Sequence, residues 1–244
     1  MNQRIPLILA AVLILLASCG FPIRYTEVRG SGIINTETRR VSGFDAIEMN
    51  GIGNVMIRQG DKESLQITTD DNLTEYIRSS VNGKTLMLEI QEGVHLLPSD
   101  SITYLVTVKS LNQILIDGAG KIEVSPLTAG NLKISINGDG IVNFDDVVAD
   151  VLAVDISGLG EVNAAGEVNT LYVDLSGSGK IQVSELRARM GTFDVSGSGD
   201  ISAWVTDVLT VDISGSGMMD YYGSPVVNAT ISGSGNVISL GQKQ

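Results

Sequence analysis

Residues 171–217 read LYVDLSGSGKIQVSELRARMGTFDVSGSGDISAWVTDVLTVDISGSG and contain one pattern three times. Each copy alternates apolar and polar residues, passes through an Asp and ends in Ser-Gly-Ser-Gly. Alternation with a period of two is typical of a β-strand that buries one side. This stretch therefore predicts short strands that recur together with the glycines.

The Gly-x-Gly unit extends well beyond this stretch. It occurs seven times between residues 118 and 235, and its second glycines are 20, 20, 19, 20, 18 and 18 residues apart. Repeats of this length without a helical segment favour stacked coils, because each coil can bury its apolar side only against its neighbours. We therefore predict an all-β fold, a parallel β-helix (β-solenoid) with 18–20-residue coils. The glycines form its corners, since Gly alone tolerates a sharp turn or close backbone approach.

The rest of the chain divides by its regularity. Residues 111–240 form the Gly-x-Gly repeat solenoid. Residues 41–110 have less regular apolar alternation and predict an N-terminal cap with the first coils, since terminal repeats of solenoids are atypical. Within this region Asn82-Gly83 predicts a hairpin turn.

The N-terminus predicts export and a lipid anchor. A short cationic segment ending at Arg4 and an apolar run, Ile5–Leu16, precede Leu16-Ala17-Ser18-Cys19, which resembles the bacterial lipobox. The run is too short for a transmembrane helix, which needs about 20 apolar residues. We expect residues 1–18 to be a lipoprotein signal peptide, Cys19 to be lipidated, and residues 19–40 to be a linker. Gly20 after the cysteine favours an outer-membrane or cell-surface location, and a periplasm-facing orientation stays open.

The charge of the chain limits its partners. The sequence has 16 Lys and Arg against 28 Asp and Glu, a net charge of −12. Nucleic acid is excluded as a partner, because its binding depends on neutralising phosphates with cations. Cys19 is the only cysteine, so no internal disulfide supports the fold.

Four motifs in the N-terminal half resemble a known family. They are Ser42-Gly43-Phe44-Asp45-Ala46-Ile47, Gly51-Ile52-Gly53-Asn54-Val55, Gln59-Gly60-Asp61 and Asp71-Asn72-Leu73. Together they are similar to the head GIN domain family of autotransporter adhesin heads, over about residues 42–238. The resemblance implies a right-handed parallel β-helix in exported, often lipid-anchored bacterial proteins. It implies no catalytic residues.

One acidic position recurs in four successive repeats, three residues before the first glycine. It is occupied by Asp155, Asp174, Asp194 and Asp212. Stacked coils would align these carboxylates, and calcium, a hard cation that takes several oxygen ligands, would relieve their repulsion. The alternative is a solvated acidic stripe that limits aggregation of a β-rich surface. No other cofactor is expected.

Three aromatic residues lie close together near the end of the repeats: Trp204, Tyr221 and Tyr222. Aromatic rings either stack on sugars or close a hydrophobic core, and both interpretations stay open.

Two functions follow from these features. The first is a lipid-anchored cell-envelope binding or structural module, adhesin-like, that displays a regular solenoid face to a glycan, to an envelope protein or to another copy of itself. The alternative is a carbohydrate-active β-helix enzyme of the lyase or hydrolase type. Such enzymes need clustered acids with Arg or Lys in a cleft built by long loops, and coils of 18–20 residues leave little room for them. We find no catalytic constellation and expect a protein that is not an enzyme.

Overall fold

The computed structural model of the protein describes residues 25–243. Its chain is almost entirely β-strand and winds through about six turns of stacked parallel coils, which confirms the predicted β-solenoid. Thr74–Tyr76 form a single 3₁₀ turn. Residues 1–24, including the predicted signal peptide and Cys19, lie outside the described part. No helix among residues 25–243 is long and apolar enough to cross a membrane.

Nine strands form the N-terminal region. They are β1 (Thr26–Arg29), β2 (Ile34–Arg39), β3 (Ala46–Asn50), β4 (Asn54–Gln59), β5 (Ser64–Asp70), β6 (Ile77–Asn82), β7 (Thr85–Ile90), β8 (Val94–Leu97) and β9 (Thr103–Val108).

Ten strands form the repeat region. They are β10 (Gln113–Gly118), β11 (Lys121–Val124), β12 (Leu127–Gly138), β13 (Ile141–Gly158), β14 (Glu161–Gly177), β15 (Lys180–Gly197), β16 (Asp200–Gly215), β17 (Met218–Tyr222), β18 (Val226–Gly233) and β19 (Asn236–Ser239). Strands β13–β16 each follow the chain from one Gly-x-Gly corner to the next.

Every coil stacks on the preceding one in parallel register. Ile134 pairs with Val154, Val154 with Val173, and Val173 with Phe193, so the same position of each repeat forms a continuous row. These side chains point inward and are buried. Their neighbours in the chain point outward. The alternation seen in the sequence therefore produces an apolar core that is surrounded by rows of outward-facing side chains.

The two glycines of each corner serve different purposes. The first glycines form one row, and Gly215 in this row has a φ of 137°, a conformation that L side chains rarely adopt. The second glycines from Gly120 to Gly217 are buried and face the core. A Cβ at Gly160 would come within 2.7 Å of Cγ2 of Ile136, so this position has no room for a side chain. The corner predicted from Gly-x-Gly is therefore confirmed. Its first glycine is required by the backbone conformation, and its second glycine is required because a side chain would not fit.

The N-terminal end of the solenoid is closed by antiparallel strands. β9 pairs with β5, β5 pairs with β2, and β6 and β7 form the hairpin predicted at Asn82-Gly83. Apolar residues beneath these strands, such as Leu65, Ile67 and Leu73, are fully buried. Residues 26–39 lie within the segment expected to be a linker, but they form β1 and β2 because β8 and β5 offer free strand edges to them.

Candidate functional site

The first outward face carries serine and aspartate rows, and we call it the serine–aspartate face. Its aspartates, Asp155, Asp174, Asp194 and Asp212, pair in register from coil to coil, with Ser135 and Thr230 at the two ends. Its serines, Ser157, Ser176, Ser196, Ser214 and Ser232, form a parallel row. The sequence prediction of aligned carboxylates is thus met in the register of the strands.

The carboxylates of this face project into solvent. Asp174, Asp194 and Asp212 are exposed, and Asp155 lies 3.5 Å from the ammonium group of Lys133. Among residues 25–243, no group of three or more His, Cys, Asp or Glu side chains has a geometry that could hold a metal ion. Calcium binding by these aspartates therefore stays a prediction from the sequence.

The second outward face carries a row of hydrogen-bonding side chains that the sequence interpretation did not single out, and we call it the amide face. The row pairs in register through six consecutive coils: Glu123, Asn143, Asn163, Gln182, Ser202 and Asp220. All six are half-buried, whereas the aspartates of the other face are mostly exposed. The amide face is therefore recessed.

A groove of about 420 Å³ lies at the N-terminal part of the amide face. It is lined by Met56, Glu123, Ser125, Asn143, Asp145 and Asn163. The Asn163 amide donates to Oδ1 of Asn143 at 2.8 Å and to Oε1 of Glu161 at 2.9 Å. The Asp145 side chain makes no hydrogen bond to any residue between 25 and 243, so its carboxylate is free to accept from a ligand.

The three aromatic residues do not form one patch. Trp204 pairs in register with Tyr222 on the outward side, whereas Tyr221 pairs with the buried Ala203 and packs against the core. Adjacent residues of a strand point to opposite sides, so Tyr221 and Tyr222 are separated by the strand itself. The structure therefore brings together two of the three predicted residues.

Lys243 covers the outward aromatic pair. Its ammonium group lies 5.0 Å from the centre of the Trp204 ring and 5.9 Å from that of Tyr222. The same group pairs with Glu185 at 2.7 Å and donates to the backbone carbonyl of Ser184. A cation over an aromatic face is attracted by the ring's negative potential. Lys243 thus occupies the outward side of the Trp204–Tyr222 pair, and sugar stacking there stays a prediction from the sequence.

The amide face could have been recognised in the sequence. Its residues lie three positions after the second glycine of each Gly-x-Gly unit and are, in order, Glu, Asn, Asn, Gln, Ser and Asp. The signal is easily missed because the residue types vary while their hydrogen-bonding character is kept. In contrast, the aspartate position repeats one residue type four times.

A solenoid with two long polar faces and a shallow groove belongs to the class of repeat proteins that offer extended surfaces for binding. Comparison with protein families agrees with this class. The model of the family described as "Putative auto-transporter adhesin, head GIN domain" matches residues 43–225. The chain belongs to this family, which confirms the resemblance inferred from its sequence motifs.

Solved structures share the fold. The crystal structure of a "putative adhesin" from Bacteroides fragilis has a TM-score of 0.83 and 27% identity, over 87% of this chain and 100% of that chain. A "putative lipid binding protein" from Parabacteroides distasonis has a TM-score of 0.72 and 25% identity, over 88% and 100%. A "putative adhesin" from Parabacteroides merdae has a TM-score of 0.69 and 22% identity, over 88% and 99%, and shows the fold alone.

Comparison with curated proteins finds no match. Neither the family nor the neighbours named above are described as enzymes.

Proposed function

We propose that this protein is a lipid-anchored, adhesin-like binding module of the cell envelope, and that its amide face holds a glycan or a protein segment. The observation that carries the proposal is the row of six half-buried hydrogen-bonding side chains in register from Glu123 to Asp220. Between them, amide, hydroxyl and carboxylate groups donate to and accept from sugar hydroxyls and peptide groups. A recessed row of them suits an extended polar ligand.

The outward aromatic pair supports a glycan in particular. Trp204 and Tyr222 belong to the two coils that also contribute Ser202 and Asp220 to the amide row. Sugar rings stack on aromatic rings through their apolar faces while their hydroxyls bind polar neighbours. In this proposal a glycan displaces Lys243 from the Trp204 ring. Trp204 is the only tryptophan of the chain, so its fluorescence reports contact at this end directly.

Anchoring through Cys19 would place this face at the envelope. Adhesin-like family membership is consistent with a cell-surface or envelope location, and we propose the outer membrane with the solenoid displayed from it. The lipobox-like segment predicts that wild-type protein partitions into the membrane fraction. The Cys19→Ala variant would then be found in the soluble fraction, and a wild-type protein that is equally soluble would contradict the anchor.

Binding can be tested with the chain from Gly20 onward, which contains every described residue of the fold. This protein is applied to a glycan array and, separately, to an envelope-protein extract. The Asn143→Ala, Asn163→Ala variant removes two amides of the groove, and we expect it to lose at least about fivefold in affinity for the ligand so identified, since two hydrogen bonds contribute about 1–3 kcal/mol.

A matched control lies on the other face. Thr192 and Thr210 are exposed and pair in register on the serine–aspartate face, so the Thr192→Ala, Thr210→Ala variant also removes two polar groups from adjacent coils. We expect it to bind as wild type does. If the control variant loses binding and the amide variant keeps it, the site lies on the serine–aspartate face and our assignment is wrong.

A further inference from the structure

The last coil of the solenoid, formed by β18 and β19, has no further coil of the described chain stacked on it, so its inward-pointing apolar side chains are partly exposed. β18 pairs along one edge with β16, and β19 pairs along one edge with β17. Among residues 25–243 no strand pairs with their other edges. Val227 and Ile231, the register partners of the fully buried Leu209 and Ile213, are 38% and 43% exposed. These side chains have the inward position of a core row but no coil above them.

We propose that this open end docks against the open end of a second copy of the chain, forming a tail-to-tail dimer. An unpaired strand edge with apolar side chains beside it is a template for pairing with another strand. Each coil of the solenoid already presents such an edge to the next coil. A second copy would therefore continue the stacking that holds the chain together.

Charge distinguishes the open end from the other surfaces. The chain has a net charge of −12, so two copies repel each other at most of their surface. Residues 223–244 contain no Asp or Glu, and their only cation, Lys243, is paired with Glu185. In the last coil Thr230 takes the position of Asp212, and Ile238 takes that of Asp220. The end at which copies would meet thus lacks the acidic groups that repel them elsewhere.

The opposite end does not offer the same surface. It ends in β2, an edge strand whose residues after the exposed Ile34 are all polar or charged, and in the β6–β7 hairpin, and Leu65, Ile67 and Leu73 beneath them are buried. Polar and charged edge strands discourage pairing with other chains. Head-to-tail stacking into a fibre is therefore disfavoured, and a closed two-fold dimer is the arrangement that remains.

The two-fold symmetry also determines how β18 pairs. Its inward side chains meet those of the partner only if the two strands run antiparallel, because a parallel arrangement turns the partner's inward side outward. The inward residues of β18 are Val227, Ala229 and Ile231. With the axis at the middle one, Ala229 faces the partner's Ala229 and Val227 faces the partner's Ile231. The apolar side chains of the two copies then form continuous pairs across the interface.

Tail-to-tail pairing has a consequence for a lipid-anchored chain, and this consequence alone rests on the proposed function. The first strand, β1, lies against β8 in the N-terminal region, and Cys19 precedes Thr26 by only seven residues. The anchor and the open end thus belong to opposite ends of the solenoid. Pairing would link copies by their ends remote from the membrane.

The dimer is tested with the chain from Gly20 onward, by light scattering coupled to gel filtration across a concentration series. We expect wild type to reach twice the monomer mass as concentration rises. The Ile231→Lys variant places a charge in the apolar interface and should keep the monomer mass throughout. Ile231 is already partly exposed in one copy, so this variant should fold, as circular dichroism would verify. The control Asn228→Lys adds the same charge to the outward side of β18 and should still dimerise.

A cysteine cross-link tests the register independently of mass. The chain from Gly20 onward has no cysteine, so Ala229→Cys introduces a single thiol. Directly opposite residues of antiparallel strands have Cα atoms about 4.5–5.5 Å apart, within the range that a disulfide spans. Mild oxidation should give a covalent dimer of Ala229→Cys and none of Thr192→Cys. A monomeric wild type, or a dimer that Ile231→Lys leaves intact, would overturn the proposal. Glycan binding would be unaffected by either result, because the amide face lies on the sides of the coils.

Discussion

The ring of Phe193 lies in the space that a side chain at Gly191 would occupy. A Cβ at Gly191 would come within 2.7 Å of Cε2 of Phe193, which is only 1% exposed. Gly191 stands between Leu171 and Leu209 in one core row. Phe193 stands between Val173 and Val211 in the next row. In this coil the row that holds Leu in the neighbouring coils contains Gly, and the row that holds Val contains Phe. The larger ring of Phe193 thus fills the space that the missing side chain of Gly191 leaves.

The exchange predicts strong coupling between the two positions. Phe193→Val alone should leave a cavity and lower the free energy of unfolding by about 2–4 kcal/mol. Gly191→Leu alone should overpack the core and cost about 1–3 kcal/mol. The double variant restores the Leu-x-Val pattern of the neighbouring coils and should recover at least about 1 kcal/mol relative to the sum of the single effects. Denaturant unfolding of all four proteins measures this coupling, and strictly additive effects would contradict it.

The sequence predicts most of the repeat region because each coil carries its own pattern. Gly215 and Gly160 mark corners, and the spacing of the aspartate position predicts the register in which four coils pair. The Gly191–Phe193 exchange cannot be found in this way, since it depends on two rows that meet only in the folded core.

The N-terminal cap and the candidate site were less predictable. Alternation indicates that β5 and β9 are strands but does not say which strand pairs with which. β2 lies in the segment expected to be a linker and pairs with β5 across about 30 residues of chain. The adjacent Tyr221 and Tyr222 suggest one aromatic patch, yet a strand sends them to opposite sides. The amide face is hard to predict because different residue types share one chemical role.

Gly215 provides a test of the corner. An alanine there would have to adopt a φ near 137° and would place its Cβ 2.4 Å from the backbone oxygen of Gly197. We expect Gly215→Ala to lower the free energy of unfolding by about 2 kcal/mol or more. Gly130→Ala is the matched control, because nothing lies within 4 Å of a Cβ at Gly130. It should be neutral or slightly stabilising in the same denaturant series. Equal effects of the two variants would contradict this role of the corner.

The aspartate row should destabilise the fold at low ionic strength. Neighbouring parallel strands lie about 4.8 Å apart, so Asp174 and Asp194 place like charges close together. Replacing both with Asn should raise Tm by about 1–3 °C in dilute buffer, and added salt should remove the difference by screening. The same melts test calcium. If millimolar calcium raises Tm of wild type but not of the double variant, the aspartates bind the ion, and an equal response of both proteins excludes this role.

Asp70 makes the N-terminal cap sensitive to acid. Its carboxylate is fully buried and accepts hydrogen bonds from the hydroxyl of Ser99 at 2.6 Å, from the backbone N–H of Ser99 at 2.9 Å and from that of Gly32 at 2.7 Å. These bonds, that of the Ser99 hydroxyl foremost, hold the pKa of Asp70 below its ordinary value of 3.8. The ionised carboxylate thereby ties β5 to the loops on both sides of it.

A lowered pKa makes the contribution of Asp70 depend on pH in one direction. The stabilisation is complete above the pKa of the unfolded chain, near 4, and is lost as the pH falls through the lower pKa of the folded state. Asp70→Asn should therefore be less stable than wild type at pH 7, and the difference should shrink below about pH 4. Denaturant unfolding between pH 7 and pH 3 measures it. Asp61→Asn, at an exposed position, should show no such difference. A gap between wild type and Asp70→Asn that stays constant down to pH 3 would mean that the ionised carboxylate does not stabilise the cap.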